Sequence, residues 1–208
     1  AFNVNDGKYF SEHEKQNAFD YIITEILNGK GLPDILKNNK DYTNRLPSAV
    51  TFFNWMRDTP QLNVVYRYAR EVQSHTLFDE LLTIASIAEK EANSNSDRAM
   101  VTQVIYKRLD MNMSLGMDVT SYYGVQKSMD EILTTVDLND ENPYNTRVTT
   151  FIGLPVGPIC NPSIGSINAA LNPADTDYLY FVADILTGKV YFAKDINGFN
   201  ELVKKYIK

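Results

Sequence analysis

Apolar residues recur at helical spacing along much of this 208-residue chain. A first stripe runs from Phe19 to Leu27 and stops at Gly29, where glycine can supply the left-handed turn that commonly ends a helix. A second short helix is predicted near Pro33. The strongest pattern covers residues 77–92, where apolar residues occupy nearly every side of the predicted helix.

The part of the chain that follows predicts three more helices. Ser96 is a suitable N-cap for a helix over 97–109, which would lie antiparallel to the helix before it. Ser163 is a suitable N-cap for a short helix that ends at Leu171. Apolar residues on one face predict a last helix over 197–207.

Two segments have patterns that exclude a helix. Residues 178–183 and 190–193 are rich in aromatic and β-branched side chains and flank a turn containing Gly188, which predicts a β-hairpin. Glycine and proline recur over 153–162 in a stretch too apolar for a disordered linker, so we predict an ordered loop there. The predicted fold class is α+β, with a helical core that carries the 77–92 helix and packs against the hairpin and this loop.

Proline also suggests where the chain divides. Pro47 and Pro60 interrupt the helical periodicity of the first third of the chain, next to a cluster of polar residues. We predict a boundary between about residues 40 and 62. This gives a mainly helical N-terminal subdomain over 1–61 and a second domain over 62–208.

Composition and charge narrow the classes of function. Twenty Lys and Arg against 26 Asp and Glu give a formal net charge of −6, so nucleic acid is not an expected partner. The one cysteine, Cys160, cannot form an internal disulfide, and with only two histidines no metal site and no metal cofactor is expected. No run reaches the roughly 18 to 20 apolar residues that a membrane span requires, so no span is expected in this chain.

Two glutamates near the end of the strongest predicted helix are candidates for acid–base chemistry. At about 100° per residue, Glu89 continues the apolar stripe of Phe78, and Glu91 points about 200° away, so only one is expected to face a given cleft. Burial and the negative end of the helix dipole would raise the pKa of Glu89, as a general acid requires. The alternative is that both glutamates are solvated and pair with Lys90 or Arg98.

Seven short segments follow one another in a characteristic order. They are Ala85–Glu91, Val104–Leu109, Leu115–Gly124, Pro143–Thr146, Gly153–Pro162, Ala169–Pro173 and Tyr178–Asp184. In sequence and order these segments resemble the YceG-like family, the MltG endolytic murein transglycosylases. The resemblance covers about residues 77–208, and we match no motif in the chain before it.

The resemblance implies a lyase acting on peptidoglycan. Such an enzyme cleaves the β-1,4 bond between N-acetylmuramic acid and N-acetylglucosamine inside a glycan strand and leaves a 1,6-anhydro end without adding water. The resemblance also implies an extracytoplasmic location, a membrane anchor in the full-length protein, glycan strands as substrate, cell-wall synthases as candidate partners and no cofactor.

The same resemblance assigns the residues of the site. It places the catalytic acid/base at Glu89, the first Glu of the Glu-Lys-Glu motif, with Glu91 as the alternate. The implied substrate contacts are Asp118, Thr120, Tyr144, Asn145, Thr146, Gly153, Gly157 and Asn161. For Asp118 a helix cap or Asx-turn, and for Asn145 the bracing of its loop, are equally open alternatives.

Two departures from the family pattern leave other functions open. Gly116 and Met117 stand where members usually have Gln and Ser, and Arg147 stands where Tyr is common. Because a polar sugar contact is missing at Gly116, a non-catalytic peptidoglycan-binding or cell-wall scaffold module is the main alternative. An aminodeoxychorismate lyase would need pyridoxal phosphate on a lysine, and no lysine here has a recognisable cofactor setting. A muramidase that uses water differs from the first hypothesis only in its products.

Overall fold

The computed structural model describes residues 10–37, 46–148, 151–184 and 187–206. Contacts group the chain into two units, of which the first ends at Leu77 and the second begins at Phe78. This division differs from the predicted boundary between residues 61 and 62, because Pro60 begins a long helix instead of ending one. Residues 40–45 of the predicted boundary region lie outside the described residues.

Helices make up the regular structure of the first unit. They are α1 (Glu12–Leu27), α2 (Leu32–Lys37), α3 (Ala49–Asp58) and the first part of α4 (Pro60–Glu91). α1 begins with a capping box in which Ser11 and Glu14 bond to each other's backbone N–H. Gly29 follows its end with a φ of +91°, as the sequence predicts. The core of this unit packs Phe19 against Phe52.

The sequence analysis does not predict α3, and it does not predict α4 as one continuous helix. α3 starts immediately after Ser48, whose hydroxyl accepts a hydrogen bond from the N–H of Thr51. Pro47 lies just before this cap, where it interrupts no helical hydrogen bond. α4 continues for 32 residues, and its first part belongs to the first unit.

The second unit is built from helices and one hairpin. Its elements after α4 are α5 (Asn95–Asp110), α6 (Asp118–Gly124), α7 (Thr135–Leu138), α8 (Ile164–Leu171), β1 (Tyr180–Asp184), β2 (Lys189–Ala193) and α9 (Ile196–Tyr206). β1 and β2 pair antiparallel, with Tyr180 opposite Ala193. The α+β class is confirmed, and so are the predicted hairpin and the helix capped by Ser163.

One predicted cap is wrong, and the predicted ordered loop is confirmed. Ser94, not Ser96, caps α5, because the Ser94 hydroxyl accepts a hydrogen bond from the N–H of Asp97 at 3.1 Å. In the loop over 153–162, the N–H of Ile159 donates to the Ser86 hydroxyl of α4 at 3.0 Å. This bond ties the loop to the end of α4.

The core of the second unit surrounds the last turns of α4. Ile87 and Ala88 are fully buried there and belong to one apolar cluster with Val101 and Ile105 of α5. The two glutamates follow immediately, so the packing of α4 fixes where both carboxyl groups lie. Within the described ranges, the structure contains no helix that combines the length and apolar character of a membrane span.

Candidate active site

Glu89 lies one turn before Ala92 and is held by four hydrogen bonds. Arg98 Nη2 donates to its Oε1 at 3.1 Å, and the backbone N–H of Ser163 donates to its Oε2 at 3.1 Å. The hydroxyls of Ser163 and Ser166 donate to the same Oε2 at 2.6 and 2.5 Å. Protein donors therefore occupy both oxygens of this carboxylate.

These contacts stabilise the ionised form of Glu89. They lower its pKa to about 2, and the hydroxyls of Ser163 and Ser166 have the largest effect. The raised pKa predicted for Glu89 is therefore wrong. The carboxylate does lie near the C-terminal end of α4, but it also caps the N-terminal end of α8, where backbone N–H groups favour a negative charge.

Glu91, the last residue of α4, has different surroundings. Its side chain is half-buried, and the backbone N–H of Val119 at the start of α6 donates a hydrogen bond to it. Burial raises the pKa of Glu91 to about 8, and the nearby Asp118 carboxylate also raises it. Arg147 and the Val119 N–H act in the opposite direction. Glu91 therefore keeps its proton at neutral pH and remains accessible from solvent.

Asp118 and Arg147 form an ion pair beside Glu91. The Arg147 Nε donates to Asp118 Oδ1, and both side chains are partly exposed. The backbone of Met117 occupies the N-cap position of α6, so the helix-cap alternative for Asp118 is wrong. Arg147, one of the two departures from the family pattern, thus supplies the countercharge of Asp118.

Thr120, Asn145 and Thr146 are buried and bonded within the protein. The hydroxyls of Thr120 and Thr146 lie 2.8 Å apart, and the Asn145 amide oxygen accepts from the Ser121 hydroxyl at 2.8 Å. The Asn145 amide nitrogen donates to the carbonyl of Asp140 at 2.8 Å. This geometry supports the bracing role left open for Asn145, and it extends the same role to both threonines.

The other predicted contact residues are more accessible. The half-buried Tyr144 meets Tyr123 edge to face, with ring centroids 4.7 Å apart. Gly157 lies beside it, since a Cβ at Gly157 would be 3.9 Å from the Tyr144 hydroxyl. Gly153, with a φ of +132°, faces open space, and Asn161 is exposed. The structure therefore brings Tyr144 and Gly157 together.

Glycine at position 116 is the other departure from the family pattern, and the structure explains it. Its φ is +59°, a left-handed conformation that glycine adopts at no steric cost. Its N–H donates to the carbonyl of Thr146 at 2.9 Å, which ties the segment before α6 to the turn that carries Arg147. Glycine at this position therefore helps to place the ion pair beside Glu91.

The partners of Glu89 could not be found from the sequence. Ser163 and Ser166 follow it by 74 and 77 residues, and no local pattern connects them to α4. Only Arg98 was foreseen as a partner, and the structure confirms it at 3.1 Å. In the part of the chain that the structure describes, no group of three His, Cys, Asp or Glu side chains could hold a metal ion.

The helical core and the hairpin define an α+β protein, in which Glu91 is the candidate acid–base group. A family model described as the YceG-like family matches residues 15–205. The chain therefore belongs to the YceG-like family, as its seven motifs indicate. The match begins about 70 residues before the first of those motifs, so most of the first unit belongs to the family too.

Two curated relatives carry the name endolytic murein transglycosylase. The protein from Bacillus subtilis is 43% identical over 128 residues, which cover 62% of this chain and 34% of the relative. The protein from Streptococcus pneumoniae strain R6 is 34% identical over 149 residues, which cover 70% of this chain and 27% of the relative. The chain thus spans about a third or less of the length of these relatives.

A solved structure agrees with the family assignment. It is the crystal structure of a putative yceG-like protein from Listeria monocytogenes, with a TM-score of 0.57 and 30% sequence identity. The similarity covers 90% of this chain and 67% of that chain. It supports the α+β fold found here.

Proposed function

We propose that this chain is a lytic transglycosylase that cleaves peptidoglycan glycan strands, with Glu91 as its acid and base. The observation that carries this proposal is an accessible glutamate with a pKa of about 8, held at the end of a buried helix. The names of the relatives, endolytic murein transglycosylase, support murein as the substrate. The bond that we propose is the one implied by the resemblance of the seven motifs, the β-1,4 bond between N-acetylmuramic acid and N-acetylglucosamine. The extracytoplasmic location and the cell-wall synthases belong to the same proposal.

The proposed reaction needs one carboxyl group in two protonation states. Protonated Glu91 donates its proton to the glycosidic oxygen as the bond from C1 breaks and positive charge develops on the sugar ring. The Glu91 carboxylate then accepts the proton of the muramoyl 6-hydroxyl while that oxygen bonds to C1. The products are a 1,6-anhydro end and a free 4-hydroxyl, and no water is consumed.

Glu91 suits this cycle better than Glu89. A carboxyl group with a pKa near 8 is protonated at the start and can lose its proton during the reaction. Glu89, with a pKa of about 2 and four protein donors, has neither a proton to give nor a free oxygen to receive one. We therefore propose the alternate residue of the sequence analysis as the catalytic acid/base and assign Glu89 to holding α8.

The neighbours of Glu91 support both halves of the cycle. The negative charge of Asp118 favours the protonated form that begins the reaction. Arg147 and the Val119 N–H stabilise the carboxylate that forms after proton transfer. Burial raises the pKa of Glu91 most, and the two charges of the ion pair act on it in opposite directions.

The test is product analysis with two matched variants. Purified peptidoglycan is incubated with wild-type chain, Glu91→Gln and Glu89→Gln, and the products are identified by mass. We expect anhydro-muramoyl ends from the wild type and from Glu89→Gln at a temperature where that variant is folded, and none from Glu91→Gln. Products from Glu91→Gln at the wild-type rate would refute the proposal, and reducing ends in place of anhydro ends would indicate a muramidase. Binding without products from the wild-type chain would support the non-catalytic alternative.

A further inference from the structure

A concave surface lies at the C-terminal end of α6, outside the contacts of Glu91. This cavity, called the α6 cavity here, has a volume of about 510 Å³. Its lining includes Tyr123, Gly124, Gln126, Lys127 and Tyr144. The wall is therefore largely aromatic and uncharged, which is typical of sites that bind a ring-shaped ligand against aromatic side chains.

The positive charge in the lining of the α6 cavity is neutralised by a carboxylate of the protein itself. Lys127 is the one charged residue among the described residues that line it, and its Nζ lies 2.5 Å from Asp137 Oδ2. The same ammonium group also donates to the carbonyl of Ile132 at 3.4 Å. The cavity thus lacks a free cation to attract a carboxylate, and it favours a neutral ligand over the acidic stem peptides of peptidoglycan.

Gln126 lies at the edge of the α6 cavity in a conformation that favours glycine. Its φ is +58°, and the N–H groups of Gln126 and Lys127 donate back to the carbonyls of Tyr123 and Tyr122 in a Schellman-type helix end. Any residue with a side chain strains the backbone in this conformation, and glycine would avoid that strain. The side chain is exposed, and among the described residues its amide has no hydrogen-bond partner, so it is free to bind a hydroxyl or an N-acetyl group.

The aromatic wall of the α6 cavity is held in place by Asn142. Its Oδ1 accepts from the N–H of Tyr144 at 2.9 Å, and its amide packs onto Gly124 so closely that a Cβ there would lie 2.1 Å from Oδ1. Tyr144 in turn packs against Tyr123 at 4.7 Å. The ring of Tyr144 is therefore positioned before any ligand arrives.

The α6 cavity and the proposed acid lie at opposite ends of one short helix. Val119, near the start of α6, bonds to Glu91, and Gly124, its last residue, lines the cavity. Five residues of α-helix separate the two positions by about 8 Å. An extended sugar polymer that contacts Glu91 and follows α6 would reach the cavity with a neighbouring ring.

From these observations we infer that the α6 cavity is a binding subsite for an uncharged sugar ring of the glycan strand, packed against the paired rings of Tyr123 and Tyr144 and hydrogen-bonded by Gln126. The inference rests on the proposed function for the identity of the polymer. The stem peptide is not the occupant, because Lys127, the one lysine among the described residues of the lining, is already paired.

The test measures binding without cleavage, in the Glu91→Gln chain. The probes are glycan strands stripped of their stem peptides and, separately, the free stem peptide. Tyr123→Ala is expected to weaken the affinity for stripped strands about tenfold, the effect of losing one aromatic anchor. Gln126→Gly is expected to weaken it several-fold without lowering Tm, because glycine suits the backbone there. Tyr68→Ala, which removes an exposed tyrosine of the first unit, is the control and should bind like the parent.

Two results would overturn the inference: unchanged affinity in both cavity variants, or displacement of stripped strands by the free stem peptide. The outcome is separable from that of the proposed function. Weaker binding in the cavity variants, together with no anhydro product from the wild type, would support the subsite and refute the chemistry. Anhydro product from the wild type, with an unchanged KM in both cavity variants, would support the chemistry and refute the subsite.

Discussion

Two glutamates separated by one residue have opposite protonation states in this chain. Glu89 is surrounded by four hydrogen-bond donors and has a pKa of about 2. Glu91 is crowded by protein, faces another carboxylate, and has a pKa of about 8. Their different neighbours follow from the helical rotation between positions 89 and 91, so the local environment leaves one carboxyl group ionised and the other protonated at neutral pH.

We expect Glu89→Gln to destabilise the fold at neutral pH. A fall in pKa from 4.5 to about 2 corresponds to about 3 kcal/mol, reduced to about 2 kcal/mol because 23% of the side chain is exposed. A lowered pKa gives stability that is present above pH 4.5 and lost as the pH falls towards 2. Thermal unfolding at several pH values should therefore show a lower Tm for the variant at pH 7 and a difference that shrinks below pH 4.5.

We expect substitutions in the ion pair to shift the pKa of Glu91 in opposite directions. Asp118→Asn removes a negative charge and releases Arg147, so the pKa should fall. Arg147→Gln removes the positive charge and releases Asp118, so the pKa should rise. Carboxyl-carbon NMR titration measures both, and Asp177→Asn, at an exposed ion pair elsewhere in the unit, is the control. Shifts of the same sign would show that the pair does not act through its charges.

At the scale of elements, two serines connect α8 to α4. Ser163 caps α8, and its hydroxyl, like that of Ser166, also donates to Glu89. The end of α4 therefore holds the start of a helix that follows more than 70 residues later. This connection explains why Glu89 belongs to the architecture of the second unit.

We expect Ser166→Ala to cost about 1 to 2 kcal/mol of unfolding free energy, because it leaves Glu89 with one donor fewer. In the Glu89→Gln background the same substitution should cost less, with a coupling energy of at least about 0.5 kcal/mol. Urea unfolding of the two single variants and the double variant completes the cycle. Additive effects would mean that serine and glutamate do not stabilise each other.

The sequence predicts the elements better than it predicts their ends and contacts. The hairpin, the cap at Ser163 and the opposite orientation of Glu89 and Glu91 all follow from local periodicity. α3 is missed because Pro47 is read as a break, although it precedes the cap. The pKa of Glu89 is mispredicted because its decisive donors come from a distant segment, which no local pattern reveals.

At the scale of the whole molecule, the proposed function predicts a pH range for activity. If Glu91 is the acid, it must be protonated, so the rate should fall as the pH rises through about 8. At the acid side, protonation of Glu89 removes stability below about pH 4.5. We therefore expect the release of anhydro ends, measured across pH with a parallel Tm series, to decline above pH 8, where Glu89 stays ionised and its contribution to Tm does not change.

The family match over residues 15–205 includes most of the first unit as well as the second. The groups proposed for the chemistry, however, all belong to the second unit. Glu91, Asp118 and Arg147 come from three separate segments of it. Hydrogen bonds of the buried threonines and Asn145 join the segments of Asp118 and Arg147, and the Val119 N–H joins α6 to Glu91. The surroundings that set the pKa of Glu91 therefore come together only when this unit folds.

The most direct test is to measure the pKa of Glu91 itself. The carboxyl carbons of glutamate are labelled, and the Glu91 signal is identified by its absence in Glu91→Gln. We expect a titration midpoint near 8 for Glu91, and a midpoint near 2 for Glu89. A Glu91 midpoint below 5, with Glu89 as the group that holds its proton at neutral pH, would contradict the choice of Glu91 as the acid.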